Sequence, residues 1–341
     1  MNKSDLKIKL TFIEGLKGVV VDEIKEKTTF NVIDTKNNEI YLNFNENFDD
    51  LFNLRSVSYI SLITENQEFN PTYISKHKSI LGNLINLVLR SKSKLFKTFK
   101  ISCAGSDSPE IKDIIKYIES EYKLEQSSEA DLKIYIAKII DTWEIGVQAT
   151  KRPLSVRDYK VCNMSGAMDP TVAYSLNYLC GVDKKKTYLN IFSGSATLLI
   201  EAGLSSDNLD TLIGFDNNKT HLSMAYQNIR KAGLIKKIKL YEKDIYSSPN
   251  IGKFEVIVAD LPFGMVISKN EDLGKLYKAF VDYSDQSLDV GGTIGVYTSE
   301  AELFKEIIKK SDFKVVNNLK LKLVTNVGSY IYPEIFICKK K

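Results

Sequence analysis

The sequence predicts an α/β protein whose C-terminal half forms a doubly wound, mostly parallel sheet, preceded by smaller α+β units. From about residue 151, five strand-like segments alternate with helical stretches, as they do in a parallel sheet with helices on both faces. The preceding residues instead group strands around a few helices, which is typical of small α+β units. The chain has 341 residues, enough for two or three domains.

The sequence of residues 1–150 predicts alternating strands and helices. Over residues 1–55, "KIKLTFIEG", "FNVIDT" and "EIYLNF" read as strands and "LKGVVVDEIKEK" as a helix. Over residues 56–150, strands are predicted in "ISLITENQEF", "TFKISCAG" and "ADLKIYIAKIIDTWEIGVQAT" and helices in "ISKHKSILGNLINLVLRS" and "DSPEIKDIIKYIESEY". Ser108 or Asp107 is the predicted N-cap of the last helix, with Pro109 in its first turn. The charged "KRPLSVRDYK", 151–160, then reads as a linker.

The amino-acid composition argues against membrane, disulfide-rich and metal-binding classes of protein. The chain is 43% hydrophobic and 26% charged, with no apolar run near the ~18 residues that a membrane span needs and no signal-peptide core at its start. The four cysteines form no CxxC pair, and the two histidines are far apart. We therefore expect no disulfide framework, no metal site and no histidine-based catalysis, and a reducing cytoplasm fits.

One segment is distinguished by its charge. No Asp or Glu occurs from Phe69 to Ser106, which we call the basic window, and its densest part is "RSKSKLFKTFK". A one-signed patch with interleaved aromatic residues suits a polyanion such as RNA, whereas a solvated face of a lysine-rich protein is the alternative. The charge pattern alone leaves both open. The RNA-binding candidates of the window are Arg90, Lys92, Lys94, Lys97 and Lys100.

The C-terminal half predicts strands in "TYLNIF", "TLIGFD", "IKLYEKD", "FEVIVAD" and "GGTIGVY". Ligands of doubly wound sheets bind at the carboxyl ends of the strands. The first strand runs into "NIFSGSATLLIEAG", in which Gly194 allows a tight turn. The neighbouring Ser193, Ser195 and Ala196 are small enough to admit a ligand close to the backbone. The helix that begins near Thr197 points its N–H groups at that ligand.

Acidic residues end the next three strands. Asp216 follows Gly194 by 22 residues, close to the spacing of a carboxylate that binds ribose hydroxyls. Asp244 ends the third strand, and Asp260 ends the fourth within "ADLPFG". In this order the strand ends predict an adenosine pocket, with ribose at Asp216, the adenine amino group near Asp244 and a reactive motif last. A dinucleotide oxidoreductase fits the first two features but needs two more glycines in the turn.

These motifs resemble a known family. An Asp-Leu-Pro-Phe strand end after a glycine-containing turn resembles the S-adenosylmethionine-dependent methyltransferases of exocyclic amines. "GVQATKRPLSVRDYK" followed by "GAMDPTVAYSL" resembles the junction between an RNA-binding THUMP domain and a Rossmann-like methyltransferase domain, and "YLNIFSGSATLLIEA" and "GSYIYPEIFICKK" resemble the nucleotide loop and closing strands of the latter. The closest type is the THUMP-containing tRNA guanine-N2 methyltransferase. The resemblance implies a ferredoxin-like unit over 1–55, a THUMP domain over 56–150, and a linker with a Rossmann-like methyltransferase domain over 151–341.

The resemblance also implies a reaction. A cytoplasmic monomer would bind the acceptor stem and 3′ end of tRNA and methylate a guanosine N2, at position 6, with S-adenosylmethionine as cofactor. Guanine N2 is a poor nucleophile, and two acceptors, the Asp260 carboxylate and the Leu261 carbonyl, would bind its N–H groups. Pro262 restricts Leu261 to extended conformations. Phe263 would stack on the flipped base, so that much of the catalysis is positioning.

Two positions depart from the family pattern, which usually has Asp-Pro before the loop and Gly-Ser-Gly within it. Here Asn190 replaces the acid and Ala196 the last glycine. These departures leave open a tRNA-binding protein with a decayed methyltransferase site. The Asp260 motif alone also permits an amino-methyltransferase of another RNA or DNA base. The linker adds Lys151, Arg152 and Arg157 to the RNA-binding candidates. The cofactor-binding candidates are Asn190, Ser193, Gly194, Ser195, Ala196, Thr197, Asp216, Asn217, Asp244, Ile245 and Asp260.

Overall fold

The computed structural model of the protein describes residues 5–45, 47–66, 69–90, 96–104, 107–139, 141–247, 249–263, 272–325 and 328–341. The chain divides into two compact units. The N-terminal unit comprises Met1–Phe12 and Val20–Leu154, and the C-terminal unit comprises Ile13–Val19 and Ser155–Lys341. Within the described residues, no helix has the length and apolarity of a membrane span.

The described residues of the N-terminal unit form an eight-stranded sheet with the order β2-β3-β1-β4-β8-β7-β5-β6. β4 pairs antiparallel with both β1 and β8, so strands from both predicted N-terminal domains share this sheet. The boundary at residue 55 stays a prediction. The elements are β1 (Leu6–Thr11), α1 (Lys17–Lys27), β2 (Val32–Thr35), β3 (Glu39–Asn43), β4 (Tyr59–Asn66), α2 (Ile74–Leu89), β5 (Thr98–Cys103), α3 (Pro109–Tyr122), β6 (Glu125–Gln126), β7 (Leu132–Ile139) and β8 (Thr142–Gln148).

The start of α3 confirms a prediction made from capping chemistry. The Ser108 hydroxyl accepts a hydrogen bond from the Ile111 N–H at 3.3 Å, and Pro109 occupies the first turn. Because a proline has no N–H, this position costs the helix nothing. Ile111, Ile114 and Ile118 are buried at spacings of three and four, so one face of the helix packs on the core.

The described residues of the C-terminal unit form a seven-stranded sheet with the order β11-β10-β9-β12-β13-β17-β14. Only the pairings of β17, with β13 and β14, are antiparallel, which confirms the predicted doubly wound sheet. The elements are α4 (Pro170–Leu179), β9 (Thr187–Ile191), α5 (Thr197–Ser205), β10 (Thr211–Asp216), α6 (Lys219–Lys231), β11 (Ile238–Glu242), β12 (Phe254–Asp260), α7 (Leu273–Ser287), β13 (Leu288–Thr298), α8 (Ala301–Lys309), β14 (Phe313–Lys320), β15 (Leu323–Val324), β16 (Tyr330–Ile331) and β17 (Glu334–Lys340).

The strand order reverses between the two central strands of this sheet. β9 continues to β10 on one side, whereas β12, its neighbour, continues to β13 on the other. The middle of both strands is apolar, and Leu189, Ile257 and Val258 have no exposed surface. The chain therefore leaves the carboxyl ends of β9 and β12 in opposite directions, which opens a crevice there.

Candidate functional site

A cavity of about 260 Å³ lies in this crevice. Its wall is formed by residues at the carboxyl ends of β9, β10 and β12 and in the turn after β11. The sequence-predicted residues among them are Asn190, Ser193, Gly194, Ser195, Thr197, Asp216, Asn217, Asp244, Ile245, Asp260, Leu261, Pro262 and Phe263. Ala196 is buried as the N-cap residue of α5 and does not line the cavity. The structure thus brings the predicted cofactor-binding and catalytic residues together, with this one exception.

Asp216 connects three of the strand ends. One carboxylate oxygen accepts the Gly194 N–H at 2.9 Å, and the other accepts the Asn218 N–H at 3.0 Å. The Asp216 carbonyl oxygen accepts the Lys243 N–H at 3.0 Å, which ties the turn after β11 to β10. The residue is 7% exposed and faces the cavity. Since each carboxylate oxygen has two lone pairs, Asp216 retains the capacity to accept a ligand hydroxyl.

The glycine turn passes close to a segment that the sequence analysis did not include. Gly194 has φ +50°, and a Cβ there would lie 3.0 Å from the Met164 side chain. Asn228 on α6 holds that segment: its amide donates to the carbonyl oxygens of Cys162 and Ser195, both at 3.1 Å. A residue with a side chain is therefore disfavoured at 194 by the backbone conformation, and it would also displace the end of the Met164 side chain.

Two buried polar atoms in the cavity wall have no hydrogen-bond partner among the described residues: Asn190 Oδ1 and Ser193 Oγ. The Asn190 amide nitrogen donates to the carbonyl oxygens of Ile191 and Val258 at 3.1 and 3.2 Å. These two bonds orient the amide so that its oxygen is the free acceptor. Because buried polar groups are normally paired, the wall is suited to a ligand that donates a hydrogen bond at Asn190.

Positive backbone φ angles occur on both sides of the turn. Phe192 has φ 57° and Ala196 has φ 68°, both in the left-handed region that disfavours residues with a side chain. Phe192 lines the cavity, and its ring lies 6.5 Å from that of Phe280. The chain therefore holds this turn, which forms part of the cavity wall, in a conformation that costs free energy.

Asp260 ends β12 and faces the cavity with a partly exposed side chain. Burial raises the pKa of its carboxyl from 3.8 to about 7. Desolvation disfavours the charged form of a carboxyl, which is why the pKa rises. A carboxyl in a cleft that titrates near neutral pH is a candidate for a catalytic group.

The residues after Asp260 are fixed at two points. The Leu261 N–H donates to the Tyr297 carbonyl oxygen at 2.9 Å, and the Pro262 carbonyl oxygen accepts from the Tyr277 hydroxyl at 2.9 Å. The Phe263 ring packs 5.5 Å from the Tyr297 ring, and it also lines the cavity. The peptide that carries the Leu261 carbonyl is thus anchored on both sides.

Sequence reasoning missed several residues of the wall. His221 Nδ1 lies 3.3 Å from Asp216 Oδ1. The two residues can approach because His221 follows Asp216 by five positions, in the first turn of α6. Asp244 does not end a strand as predicted: β11 stops at Glu242, and Asp244 accepts the Tyr246 N–H at 2.8 Å in a local turn. The other missed wall residues are Met164, Gly166, Ala167, Met168, Phe192, Leu198, Lys243, Tyr246 and Leu276.

The RNA-binding candidates are placed as follows. Arg90 and Lys97 are exposed and Lys100 is partly exposed, whereas Lys92 and Lys94 lie outside the described residues. Lys151 Nζ lies 2.8 Å from Asp131, and Arg152 is exposed. Arg157 donates to Glu201 at 3.1 Å with 11% of its side chain exposed, so its charge is already paired inside the C-terminal unit.

Within the described ranges, no cluster of three or more His, Cys, Asp or Glu is arranged to hold a metal ion.

A parallel sheet whose strand order reverses, a glycine turn and acidic residues around one cavity define the C-terminal unit as a Rossmann-like domain. Residues 157–326 match the family model described as UPF0020, RMKL-like, methyltransferase domain. This part of the chain belongs to that family.

Two relatives share sequence with this chain. A tRNA (guanine(6)-N2)-methyltransferase of Methanocaldococcus jannaschii is 25% identical over 232 residues, which are 55% of this chain and 59% of the relative. The U6 snRNA (guanine-N(2))-methyltransferase THUMPD2 of Bos taurus is 30% identical over 172 residues, which are 50% of this chain and 32% of the relative. The matches thus span less than two thirds of either relative.

Solved structures show the same fold over the whole chain. TrmN from Thermus thermophilus superimposes with a TM-score of 0.75 at 19% identity, covering 98% of this chain and 100% of that one. The methyltransferase SMU.472 complexed with SAH superimposes with a TM-score of 0.71 at 14% identity, covering 99% and 98%. Both confirm the α/β fold class.

Proposed function

We propose that this chain is a methyltransferase that transfers a methyl group from S-adenosylmethionine to the exocyclic N2 of a guanosine in tRNA, at position 6 of the acceptor stem. The observation that carries the proposal is the Asp260–Phe263 strand end, which faces the cavity of a methyltransferase domain. The names of the two relatives, both guanine-N2 methyltransferases, support the choice of target atom.

The cavity fits S-adenosylmethionine, which supplies an electrophilic methyl group. The free Asn190 Oδ1 is placed to accept a hydrogen bond from an ammonium group, and Asp216 to accept ribose hydroxyls. Gly194 lines the cavity and adds no side chain to it, so a ligand can approach the backbone there. A solved neighbour of the same fold that is complexed with SAH supports this assignment.

The target base would be held by the strand end. The Asp260 carboxylate and the Leu261 carbonyl oxygen accept the two N–H groups of the guanine amine, which brings the nitrogen lone pair toward the methyl group. The Phe263 ring stacks on the base. The ionised carboxylate of Asp260 only accepts hydrogen bonds, whereas the protonated form carries a donor, so the working state is the carboxylate.

The N-terminal unit would supply RNA contacts. We assign it, with the ferredoxin-like unit at 1–55 and the THUMP domain at 56–150, to the acceptor stem and 3′ end of tRNA, in a monomer of the cytoplasm. Arg90, Lys97 and Lys100 support this through their position in the acid-free basic window. Arg157 is left out because Glu201 already pairs its charge.

The test is methylation of tRNA in vitro. Unfractionated tRNA is incubated with the protein and S-adenosylmethionine labelled in its methyl group, then digested to nucleosides for mass spectrometry. We expect N2-methylguanosine from the parent and at least about a hundredfold less from Asp260→Asn, because a positioned catalytic group is removed. Fragment mapping should place the label at position 6. Label in another nucleoside, or equal label with Asp260→Asn, would contradict the proposal.

A second candidate function keeps the chemistry and changes the RNA. It is favoured by the bovine relative, whose name gives U6 snRNA as its substrate. The same assay with a U6-type small RNA and with ribosomal RNA separates the two. Faster transfer to either of them than to tRNA, per guanosine, would select this candidate.

A further inference from the structure

A short hairpin of the C-terminal unit and the residues that flank it carry two lysine–tyrosine pairs on an exposed surface. The hairpin consists of β15 and β16, between β14 and β17. Lys322 Nζ lies 4.5 Å from the centre of the Tyr330 ring, and Lys320 Nζ lies 5.2 Å from that of Tyr332. The two tyrosines are 53% and 49% exposed. We call these four residues the hairpin face.

The strand register places the base of the hairpin at the same end of the sheet as the candidate active site, where β12, β13 and β14 finish. Lys320 at the end of β14 pairs with Glu334 of β17, which pairs with Thr298 at the end of β13. The neighbouring residue of β13, Tyr297, pairs with Asp260. β12 and β14 are three strands apart, which corresponds to about 15 Å at the usual strand spacing.

We propose that the hairpin face binds the RNA strand that carries the target nucleotide. The proposal rests on the proposed function. Exposed tyrosines offer surfaces on which unpaired bases stack, and the lysines add positive charge for the adjoining phosphates. A separation of about 15 Å equals about four nucleotide steps at 3.4 Å each, so the bases bound here lie a few nucleotides from the one at Asp260.

The charges around the hairpin favour an anionic partner. Glu334, at its base, is 8% exposed, accepts a hydrogen bond from Asn318 at 3.0 Å and lies 3.2 Å from Lys305 Nζ, so its charge is compensated inside the unit. Glu14 Oε2 lies 3.6 Å from Lys322 Nζ in a partly exposed pair. Such pairs contribute little, and a phosphate can take the place of the carboxylate.

The test compares variants of the hairpin face with control variants elsewhere in the C-terminal unit for binding of unfractionated tRNA at several salt concentrations. The stacking variant is Tyr330→Ala with Tyr332→Ala, and its control is Tyr226→Ala, which removes a tyrosine that is 52% exposed on α6. The charge variant is Lys320→Ser with Lys322→Ser. Its control is Lys309→Ser with Lys310→Ser, two exposed lysines beside the start of β14, at the opposite end of the sheet.

We expect the stacking variant to bind tRNA about tenfold more weakly, the scale of removing one base–aromatic stacking interaction. The charge variant should reduce the slope of log affinity against log salt by about 0.7 for each phosphate that the protein no longer neutralises. Both controls should bind as the parent does, and the affinity for S-adenosylhomocysteine should not change.

Parent-like tRNA binding in both hairpin variants would overturn the inference. So would a stacking variant whose oligomeric mass changes while its RNA affinity does not, because the face would then contact protein. Failure of the proposed function is seen separately, as a parent that binds tRNA but forms no N2-methylguanosine.

Discussion

At the residue scale, the ionisation of Asp260 connects the fold to the reaction. Burial at the end of β12 raises the pKa of this carboxyl to about 7, so near neutral pH it is divided between a form that can donate and one that only accepts. A neighbouring positive charge favours the ionised form. In the proposed function the sulfonium of the cofactor would be such a charge, and binding would then be coupled to the release of a proton.

This coupling predicts a pH dependence. Affinity for S-adenosylmethionine and kcat/KM for methyl transfer should both rise from pH 6 to pH 8, with an apparent pKa near 7 in the free enzyme. Stability should change in the opposite direction: the folded state retains the proton up to about pH 7, whereas the unfolded chain releases it near pH 4, so this group lowers stability as the pH rises between them. Titration calorimetry and thermal unfolding measure the two trends.

Asp260→Asn is the control for both trends. It has nearly the same shape and no ionisation, so the rise in affinity and the fall in stability should both disappear. A parent whose cofactor affinity and kcat/KM are flat between pH 6 and pH 8 would place the working ionisation on another group.

The departure at Asn190 has a structural explanation. Its amide nitrogen donates to two carbonyl oxygens, of Ile191 and Val258, and its oxygen remains free toward the cavity. An aspartate here would place a carboxylate oxygen 3.1–3.2 Å from those carbonyl oxygens, where nothing donates. The asparagine still offers an acceptor to a ligand ammonium, which argues against a decayed site at this position.

The departure at Ala196 is different, because its φ of 68° suits glycine. We expect Ala196→Gly to raise the free energy of unfolding by about 0.5–1 kcal/mol, as the relief of left-handed strain exceeds the entropy cost of glycine. Ala202→Gly is the matched control on the same helix. It should lower stability by about 1 kcal/mol, since a helical position loses its preferred residue. Chemical denaturation checks both, and destabilisation by Ala196→Gly would show that the turn is not strained there.

At the element scale, α7 and β13 hold the reactive strand end. A carbonyl oxygen can only accept, so the Tyr277 hydroxyl donates to Pro262. The 2.7 Å contact between Tyr277 and Thr298 therefore has the threonine hydroxyl as its donor. The Thr298 oxygen in turn accepts the Glu300 N–H at 3.0 Å. Tyr277 and Thr298 have no exposed surface, so this chain of hydrogen bonds is shielded from water.

Removing the tether should affect the rate more than binding. Tyr277→Phe keeps the ring but frees the Pro262 carbonyl, and a small displacement of the Asp260–Phe263 peptide should lower kcat about tenfold. Cofactor affinity should stay within a factor of two or so, because the other wall residues are untouched. Tyr283→Phe on the same helix, whose hydroxyl contacts Pro249 at 3.5 Å, is the control and should keep the parent kcat. Equal kcat in both variants would remove the tether from the catalytic machinery.

Elements with local signals were predictable from sequence, and contacts between distant segments were not. The Ser108 cap and the position of Asp260 followed from capping rules and from the strand pattern. The approach of Met164 to Gly194 was not predictable from sequence. It depends on Asn228 of α6, which accepts a hydrogen bond from the backbone of Cys162, 66 residues away in the chain. The amide orientation of Asn190 likewise depends on the carbonyl oxygen of β12 beside it.

At the scale of the whole molecule, the candidate cofactor cavity and the basic window belong to different units. The cavity and its acidic strand ends lie in the C-terminal unit. The basic window lies in the N-terminal unit, although the chain as a whole carries a net charge of only +4. Local charge, rather than total charge, is therefore what the RNA hypothesis depends on.

The last prediction tests that dependence. Replacing Lys92, Lys94, Lys97 and Lys100 by Ser should weaken tRNA binding and reduce its salt slope by about 0.7–0.9 for each phosphate no longer neutralised, since fewer counterions are released. Cofactor affinity should not change, because no described residue of the window lines the cavity. Lys112→Ser with Lys116→Ser on α3 removes exposed lysines outside the window and serves as the control. Binding is measured by fluorescence anisotropy from low to physiological salt. If the fourfold variant keeps the affinity and slope of the parent, these lysines serve as a solvated face and RNA is bound elsewhere.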